Sequence, residues 1–196
     1  MLLDHFPKIW NHPFQSVLPG RRAILFVPLL CITSAVWIGK LMVEATLEST
    51  VTPGGLLALE LAPDPQTGHL VVHHWVQAGL VQNAFFAVGL QFLWLLMLSS
   101  TLAFACVWSS QKSPGDWTNF GNGIAWLQWT GAVCGAIAAA GAAYALGAGS
   151  AGSMSALVCL DTEAQIVCFL LGALYAAAGF VAREFPRSRR QAMARL

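Results

Sequence analysis

The sequence predicts an all-α integral membrane protein, a four-helix bundle with both termini on the cytoplasmic side. Of its 196 residues, 57% are hydrophobic and only 10% are charged, whereas soluble domains average about 25% charged residues. The mean hydropathy is +0.63. The uneven placement of Lys and Arg predicts the orientation. At this length we expect residues 1–196 to form a single membrane domain.

Four segments are apolar over the roughly 20 residues that a helix needs to cross a bilayer core. The predicted spans are 23–43, 80–108, 123–146 and 164–182. The first contains one charge, Lys40, which lies four residues before Glu44, and we expect the two to pair. The second is the longest and the richest in aromatic side chains. The third consists largely of Gly and Ala, and the fourth follows Asp161 and Thr162, either of which can cap a helix.

The positive charges test this topology independently. Nine of the ten Lys and Arg residues lie before the first span, between the second and third, or after the fourth. The connections 44–79 and 147–163 contain none. Because positive residues are retained on the cytoplasmic side, we expect both termini to be cytoplasmic and these two connections to face outward. The chain is predicted to be a multi-pass protein of a bacterial inner (plasma) membrane.

The outward loop 44–79 is too apolar to be a solvated linker. Its apolar stretch 56–62 follows a Pro-Gly-Gly turn at 53–55. We expect this stretch to form a short interfacial helix or a strand-like cap, packed over the ends of the spans or against a partner. Residues 52–62, TPGGLLALELA, resemble an uncharacterised family of small four-span bacterial membrane proteins. The resemblance implies a four-span fold and no particular activity.

Three histidines, His69, His73 and His74, precede the second span. On a helix, His69 and His73 would share a face and chelate a divalent ion, with Glu60 or Asp64 as an oxygen donor. The five histidines of the chain are too few for a membrane di-iron enzyme, and no predicted span contains one that could bind haem. We expect the imidazoles to lie at the lipid headgroups instead, with their polar tips in water. No cofactor is predicted.

Polar residues within the spans are neutral rather than charged. The predicted buried polar residues are Gln82, Asn83, Gln91, Gln128 and Gln165. Amides in an apolar interior require hydrogen-bond partners, so we expect them to join neighbouring helices. The alternative is that they contact a polar substrate or cofactor. An ion channel or proton-coupled carrier is not predicted, since no carboxylate lies at the centre of a span.

Small residues recur at helical spacing in the third and fourth spans, where they allow two backbones to approach closely. The predicted packing positions are Gly131, Gly135, Gly172 and Gly179. We expect these two spans to form a tightly packed antiparallel hairpin. The aromatic surface of the second span is instead available to lipid, to a pigment or to another subunit.

These patterns predict a non-catalytic membrane protein, an accessory or scaffold subunit of a larger inner-membrane complex. Its expected partners are membrane lipid and other integral membrane subunits or further copies of itself, with no nucleic acid. The alternative is a small transporter or carrier with an amide-lined path. A third is a membrane enzyme or metal-binding protein that uses His69, His73 and His74.

The predicted topology can be measured by cysteine labelling after the native cysteines are replaced. A cysteine at Gln66, in the outward loop, should react with a membrane-impermeant thiol reagent added to intact cells, because the positive-inside rule exposes that loop. A cysteine at Ser113, beside Lys112, should react only after permeabilisation. The reverse labelling pattern would contradict the orientation.

Overall fold

A computed structural model of the chain describes residues 12–17, 19–62, 64–110, 115–148 and 165–181. Of the described residues 86% are helical and none lies in a strand, which confirms the all-helical class. Three of the described helices are long and apolar enough to cross a membrane. These helices indicate a membrane protein.

The described chain forms six α-helices, preceded by short 3₁₀ helices at Pro13–Ser16 and Pro19–Arg21. They are α1 Arg22–Glu44, α2 Leu57–Glu60, α3 Pro65–Gln77, α4 Val81–Ser110, α5 Gly115–Ala148 and α6 Gln165–Val181. The helices α1, α4 and α5 have the length and hydropathy of membrane spans. The helix α6 is apolar but has 17 residues and is shorter than these three. The connection 149–164 lies outside the described residues.

The helix α1 packs mainly against α4, and the two helices run antiparallel. At their middle, the hydroxyl groups of Thr33 and Thr101 are 2.8 Å apart and hydrogen bonded. Nearer the end of α1, Lys40 Nζ lies 5.7 Å from the ring centroid of Trp94. The expected pairing of Lys40 with Glu44 is confirmed, with Nζ and Oε1 2.7 Å apart. The positive charge of Lys40 is therefore neutralised within its own helix.

On its other sides α4 packs against α5, antiparallel, and α6, parallel. Thr118 Oγ1 at the start of α5 donates a hydrogen bond to the carbonyl oxygen of Ser110 at the end of α4, at 3.1 Å. Cys106 Sγ of α4 donates to the carbonyl oxygen of Gly172 in α6, at 3.4 Å. Because α4 is contacted on several sides, its sequence is apolar all round rather than along one stripe.

Residues 45–62 and 64–80 fold into a cap over one end of α4 and α5. Their apolar side chains and those of the helix ends form one buried cluster, which includes Leu47, Leu56, Leu59, Val71, Val72, Trp75, Ala84, Ala87, Val88, Ala139, Ala142 and Leu146. Trp75 is fully buried, and its Nε1 donates to the carbonyl oxygen of Leu47 at 3.3 Å. The stretch 56–62 thus packs over the helix ends, as expected, and contains the short helix α2 rather than a strand.

Two glycines set the path of the chain through the cap. Gly79, with a φ of +71°, ends α3, and the Leu80 N–H bonds to the carbonyl oxygen of Trp75 at 2.9 Å. This is the arrangement by which a left-handed residue closes the last turn of a helix. Gly55, with a φ of +61°, passes so close to α1 that a Cβ there would lie 2.7 Å from the carbonyl oxygen of Glu44. Gly55 therefore has no room for a side chain, and Gly79 adopts a backbone conformation that favours glycine.

At the other end of the bundle a second apolar cluster joins α4, α5 and α6. Its buried members are Ala103, Ala105, Cys106, Val107, Ile124, Ala125, Tyr175 and Ala176. The 3₁₀ helix Pro13–Ser16 packs against this cluster through Phe14, whose ring centroid lies 5.2 Å from that of Phe104. The described N-terminal segment thus covers the end of the bundle opposite the cap.

Candidate functional site

Three glutamine side chains are buried inside the bundle, one on each of α4, α5 and α6. These buried glutamines are Gln91, Gln128 and Gln165. Gln91 and Gln165 lie beside members of the apolar cluster beneath the cap, and Gln128 lies between α5 and α6. Burying an amide group without a hydrogen-bond partner destabilises a protein by about 1–3 kcal/mol in mutational data. The neighbours of these amides therefore decide how the three helices pack.

Gln128 joins α5 to α6. Its Nε2 donates to the carbonyl oxygen of Cys168 at 2.7 Å, while its Oε1 is buried and has no hydrogen-bond partner among the described residues. The amide fits because Gly172 lies opposite: a Cβ there would lie 2.8 Å from Gln128 Cδ. The absence of a side chain at Gly172 thus makes the space for a polar contact between the helices.

The other predicted packing glycines lie at helix contacts of different tightness. A Cβ at Gly135 would collide with the Gln165 amide and would lie 2.7 Å from Leu95 Cδ1. A Cβ at Gly179 would lie 2.7 Å from Ser109 Cβ. At Gly131 the nearest atom, Cys168 Cβ, is 3.7 Å away, which is ordinary contact. Gly135 and Gly179 therefore leave no room for a larger residue. At Gly131 there is room for a methyl group.

A small pocket lies beneath the cap, between α2, α4, α5 and α6. It is lined by Leu56, Glu60, Val88, Gln91, Leu95, Gly135, Ala138, Ala139, Ala142 and Gln165. Gln91 is 8% exposed, and its Oε1 is buried without a hydrogen-bond partner in the described chain. The pocket has room for about one water molecule. The pocket thus combines polar groups with space for one small species.

Two of the predicted buried polar residues, Gln82 and Asn83, are exposed, so their predicted burial is wrong. The buried face of this part of α4 passes through Ala84, Ala87 and Val88, and the two amides lie off that face. Asn83 Nδ2 instead donates to Thr46 Oγ1 at 3.0 Å, just beyond the end of α1. Neither residue lines the pocket.

The three histidines of the predicted outward loop lie on α3, whose apolar side is buried in the cap. His69 and His73 are exposed on one face, and their rings are nearly parallel with centroids 6.1 Å apart. His74 Nε2 lies 3.1 Å from Ser49 Oγ, within hydrogen-bond distance. In the part of the chain that the structure describes, no group of three or more His, Cys, Asp or Glu side chains is placed to hold a metal ion.

Asp64, considered above as an oxygen donor, caps the start of α3. Its carboxylate accepts hydrogen bonds from the Thr67 N–H at 2.8 Å and from Thr67 Oγ1 at 2.9 Å. The backbone hydrogen bond from Thr67 is the main reason why the pKa of Asp64 lies below its usual value. The carboxylate is therefore engaged at the helix terminus.

The aromatic surface of α4 divides into an exposed and a covered part. Phe85, Phe86 and Phe92 are exposed and available to lipid or to another molecule. Trp94 lies between neighbouring helices, with Lys40 over its ring and the ring of Phe169 in edge contact at 6.1 Å between centroids. Trp94, near the middle of α4, thus packs against α1 and α6.

His12 is a buried polar residue that sequence analysis did not single out. It is 1% exposed, and its ring contacts those of Phe14, Trp126 and Trp129, with centroids 5.0, 5.2 and 4.6 Å away. Its Nδ1 lies 3.4 Å from the Phe14 N–H donor, and its Nε2 has no partner among the described residues. Burial lowers the pKa of His12 from 6.5 to about 4. The neutral imidazole thus attaches the N-terminal segment to α5.

No family model, curated protein or solved structure matches this chain. The resemblance of residues 52–62 to four-span bacterial membrane proteins therefore stays a prediction.

We expect Gly179→Ala to reduce the free energy of unfolding by about 1–3 kcal/mol, the usual cost of overpacking. The new methyl group would meet Ser109 Cβ, which is attached to the backbone and cannot rotate away, so α4 and α6 would have to separate. Gly131→Ala is the matched control and should leave stability nearly unchanged. Unfolding in mixed micelles measures both. Equal stability of the two variants would contradict the close contact.

We expect acid to release the N-terminal segment. When the segment is docked, the pKa of His12 is about 4, compared with an ordinary value of 6.5. Docking should therefore be strongest above pH 6.5 and weaken progressively as the pH falls toward 4, because the released imidazole binds a proton more readily. Hydrogen exchange of residues 12–17 measures this effect.

His12→Leu should abolish that pH dependence, while His69→Leu, which removes an exposed imidazole, should preserve it. An identical pH profile in the wild type and His12→Leu would show that another group controls docking.

Proposed function

We propose that this chain is a four-span protein of a bacterial inner membrane, with both termini cytoplasmic, and that it acts as a non-catalytic accessory or scaffold subunit of a larger complex. The four-span arrangement is supported by the alternating directions of α1, α4, α5 and α6. With α6 included, an even number of spans returns the chain to the side on which it began. At 17 residues α6 is about 25 Å long, close to the thickness of a bilayer core.

The observation that carries the subunit proposal is the position of α1. In its most apolar 18-residue window only 6% of the residues are buried within the chain, compared with 44% in α4. Thr33 and Glu44 are its only buried residues, both within the described helix. A helix attached along one face leaves the remainder of its surface for lipid or for another protein.

The exposed side of α1 has features that favour a protein partner. Cys31, Ser34 and Ala35 are exposed there, and small side chains allow another helix backbone to approach closely. A hydroxyl group such as that of Ser34 can also bond across a helix contact. Larger apolar residues, including Ile38 and Met42, flank this region and would add contact area.

Site-specific photocrosslinking in native membranes tests the subunit proposal. A photoreactive residue in place of Ile38 or Met42 should give a discrete adduct of higher mass with one membrane protein. The same residue in place of Ile137, an exposed side chain of α5, is the control and should give no discrete protein adduct. The proposal fails if neither α1 position forms an adduct and the protein purifies alone in mild detergent.

A carrier with an amide-lined path is the second candidate, and the pocket beneath the cap favours it. Gln91 and Gln165 line that pocket, and Gln128 lies farther along the α5–α6 contact. The space fits only one water-sized species, so a carrier of this kind would transport a very small solute unless the helices separate. Substrate-dependent flux in liposomes that contain only this protein would favour the carrier over the subunit.

A further inference from the structure

Two histidines on the exposed side of α3 form a pair that the proposed subunit role does not require. His69 and His73 are both exposed, and their rings are nearly parallel, with an interplanar angle of 18° and centroids 6.1 Å apart. Side chains four residues apart lie one above the other on one face of a helix. The two imidazoles are therefore neighbours in contact with the surrounding solution.

The backbone that carries this pair is fixed at both ends and along its opposite face. Asp64 caps the start of α3, and Gly79 closes its end. On the other side of the helix Val72 and Trp75 are fully buried in the cap. A helix held in this way keeps two ligands at a constant spacing, so little ordering is needed when an ion binds.

The spacing of the two imidazoles suits a single metal ion. Zn–N bonds are about 2.0–2.1 Å long, so two nitrogens on one tetrahedral ion lie roughly 3.4 Å apart. The ring nitrogens of His69 and His73 lie at the edges of rings whose centroids are 6.1 Å apart. Because both side chains are exposed, small rotations about their side-chain bonds bring the nitrogens to that separation. Histidines at the same spacing supply two of the zinc ligands in the H-E-x-x-H motif.

The ligand set determines the class of ion. Imidazole nitrogen suits Zn²⁺, Cu²⁺ and Ni²⁺, whereas Mg²⁺ and Ca²⁺ require oxygen ligands. The Asp64 carboxylate is bonded to Thr67, and the His74 ring lies within hydrogen-bond distance of Ser49. Among the described residues no third His, Cys, Asp or Glu completes a group around the pair. The remaining positions on the ion would be taken by water or by a donor from another molecule.

We infer that His69 and His73 together bind one divalent transition-metal ion, Zn²⁺, Cu²⁺ or Ni²⁺, on the exposed face of α3. Structural zinc sites are closed by four protein ligands, whereas a site with two stays open. The ion therefore exchanges readily with the solution. While bound it joins two consecutive turns of α3 and stabilises the helix by mass action, because the unfolded chain does not hold the two rings together.

Titration of the purified full-length protein, produced without a histidine tag, tests the site. Isothermal titration calorimetry in a buffer that does not bind metals should show saturable binding of Zn²⁺. Mg²⁺ at the same concentrations should give no saturable heat. Hydrogen exchange of residues 65–77 should slow when Zn²⁺ is added, because opening of the helix separates the two ligands.

Two variants and one matched control assign the binding to the pair. His69→Ala and His73→Ala each remove one ligand and should raise the Kd for Zn²⁺ about tenfold or more, at least the loss that follows removal of an outer-shell contact. Both side chains are exposed and alanine favours the helix, so both variants should fold. His74→Ala removes the neighbouring imidazole, preserves the pair and should bind Zn²⁺ like the wild type.

Cu²⁺ identifies the ligands themselves. Electron paramagnetic resonance of the Cu²⁺ complex should show coupling to two imidazole nitrogens in the wild type and in His74→Ala, and to fewer in the other two variants. The inference is overturned if the wild type shows no saturable Zn²⁺ binding, or if His69→Ala and His73→Ala both bind Zn²⁺ as tightly as the wild type. An equal loss of Zn²⁺ binding in His74→Ala would also overturn it.

Discussion

The packing of α4 is the constraint on which the other elements depend. It contacts α1 along one side, α5 and α6 along others, the cap at one end and the N-terminal segment at the opposite end. A helix in this position has no face reserved for water, which explains why its sequence is apolar in every direction. The peripheral helices α1, α5 and α6 each retain a broad exposed apolar surface, as expected where the surrounding medium is lipid.

Between the helices, polar groups are placed where glycine provides space. The Gln128 amide lies against Gly172, and the Gln165 amide lies against Gly135. In a bilayer, helices gain little from burying apolar side chains against one another, because the lipid tails are equally apolar. Close backbone approach and hydrogen bonds therefore become the specific contacts between helices. Each glycine and glutamine pair supplies both at once, with the amide filling the volume that a missing side chain leaves.

The sequence predicted the apolar helices well, because length and hydropathy are local properties that a membrane constrains strongly. It predicted the face of each helix poorly. Gln82 and Asn83 were expected to be buried from their place in an apolar run, yet burial depends on which helix lies beside them. The enclosure of His12 by Trp126 and Trp129 joins residues far apart in the chain, and no local pattern indicates it. The room at Gly131 and its absence at Gly179 likewise depend on the residue opposite.

The cap has a consequence for biosynthesis. Its residues Leu47, Leu56 and Leu59 belong to the same buried cluster as Ala139, Ala142 and Leu146 of α5, which the ribosome makes much later. Until α5 joins the bundle, these leucines and Trp75 lack part of the surface that covers them. The segment must therefore pass through a period in which its apolar side is uncovered, when it is most susceptible to aggregation or to capture by a chaperone. A truncated chain that ends before α5 would remain in that state.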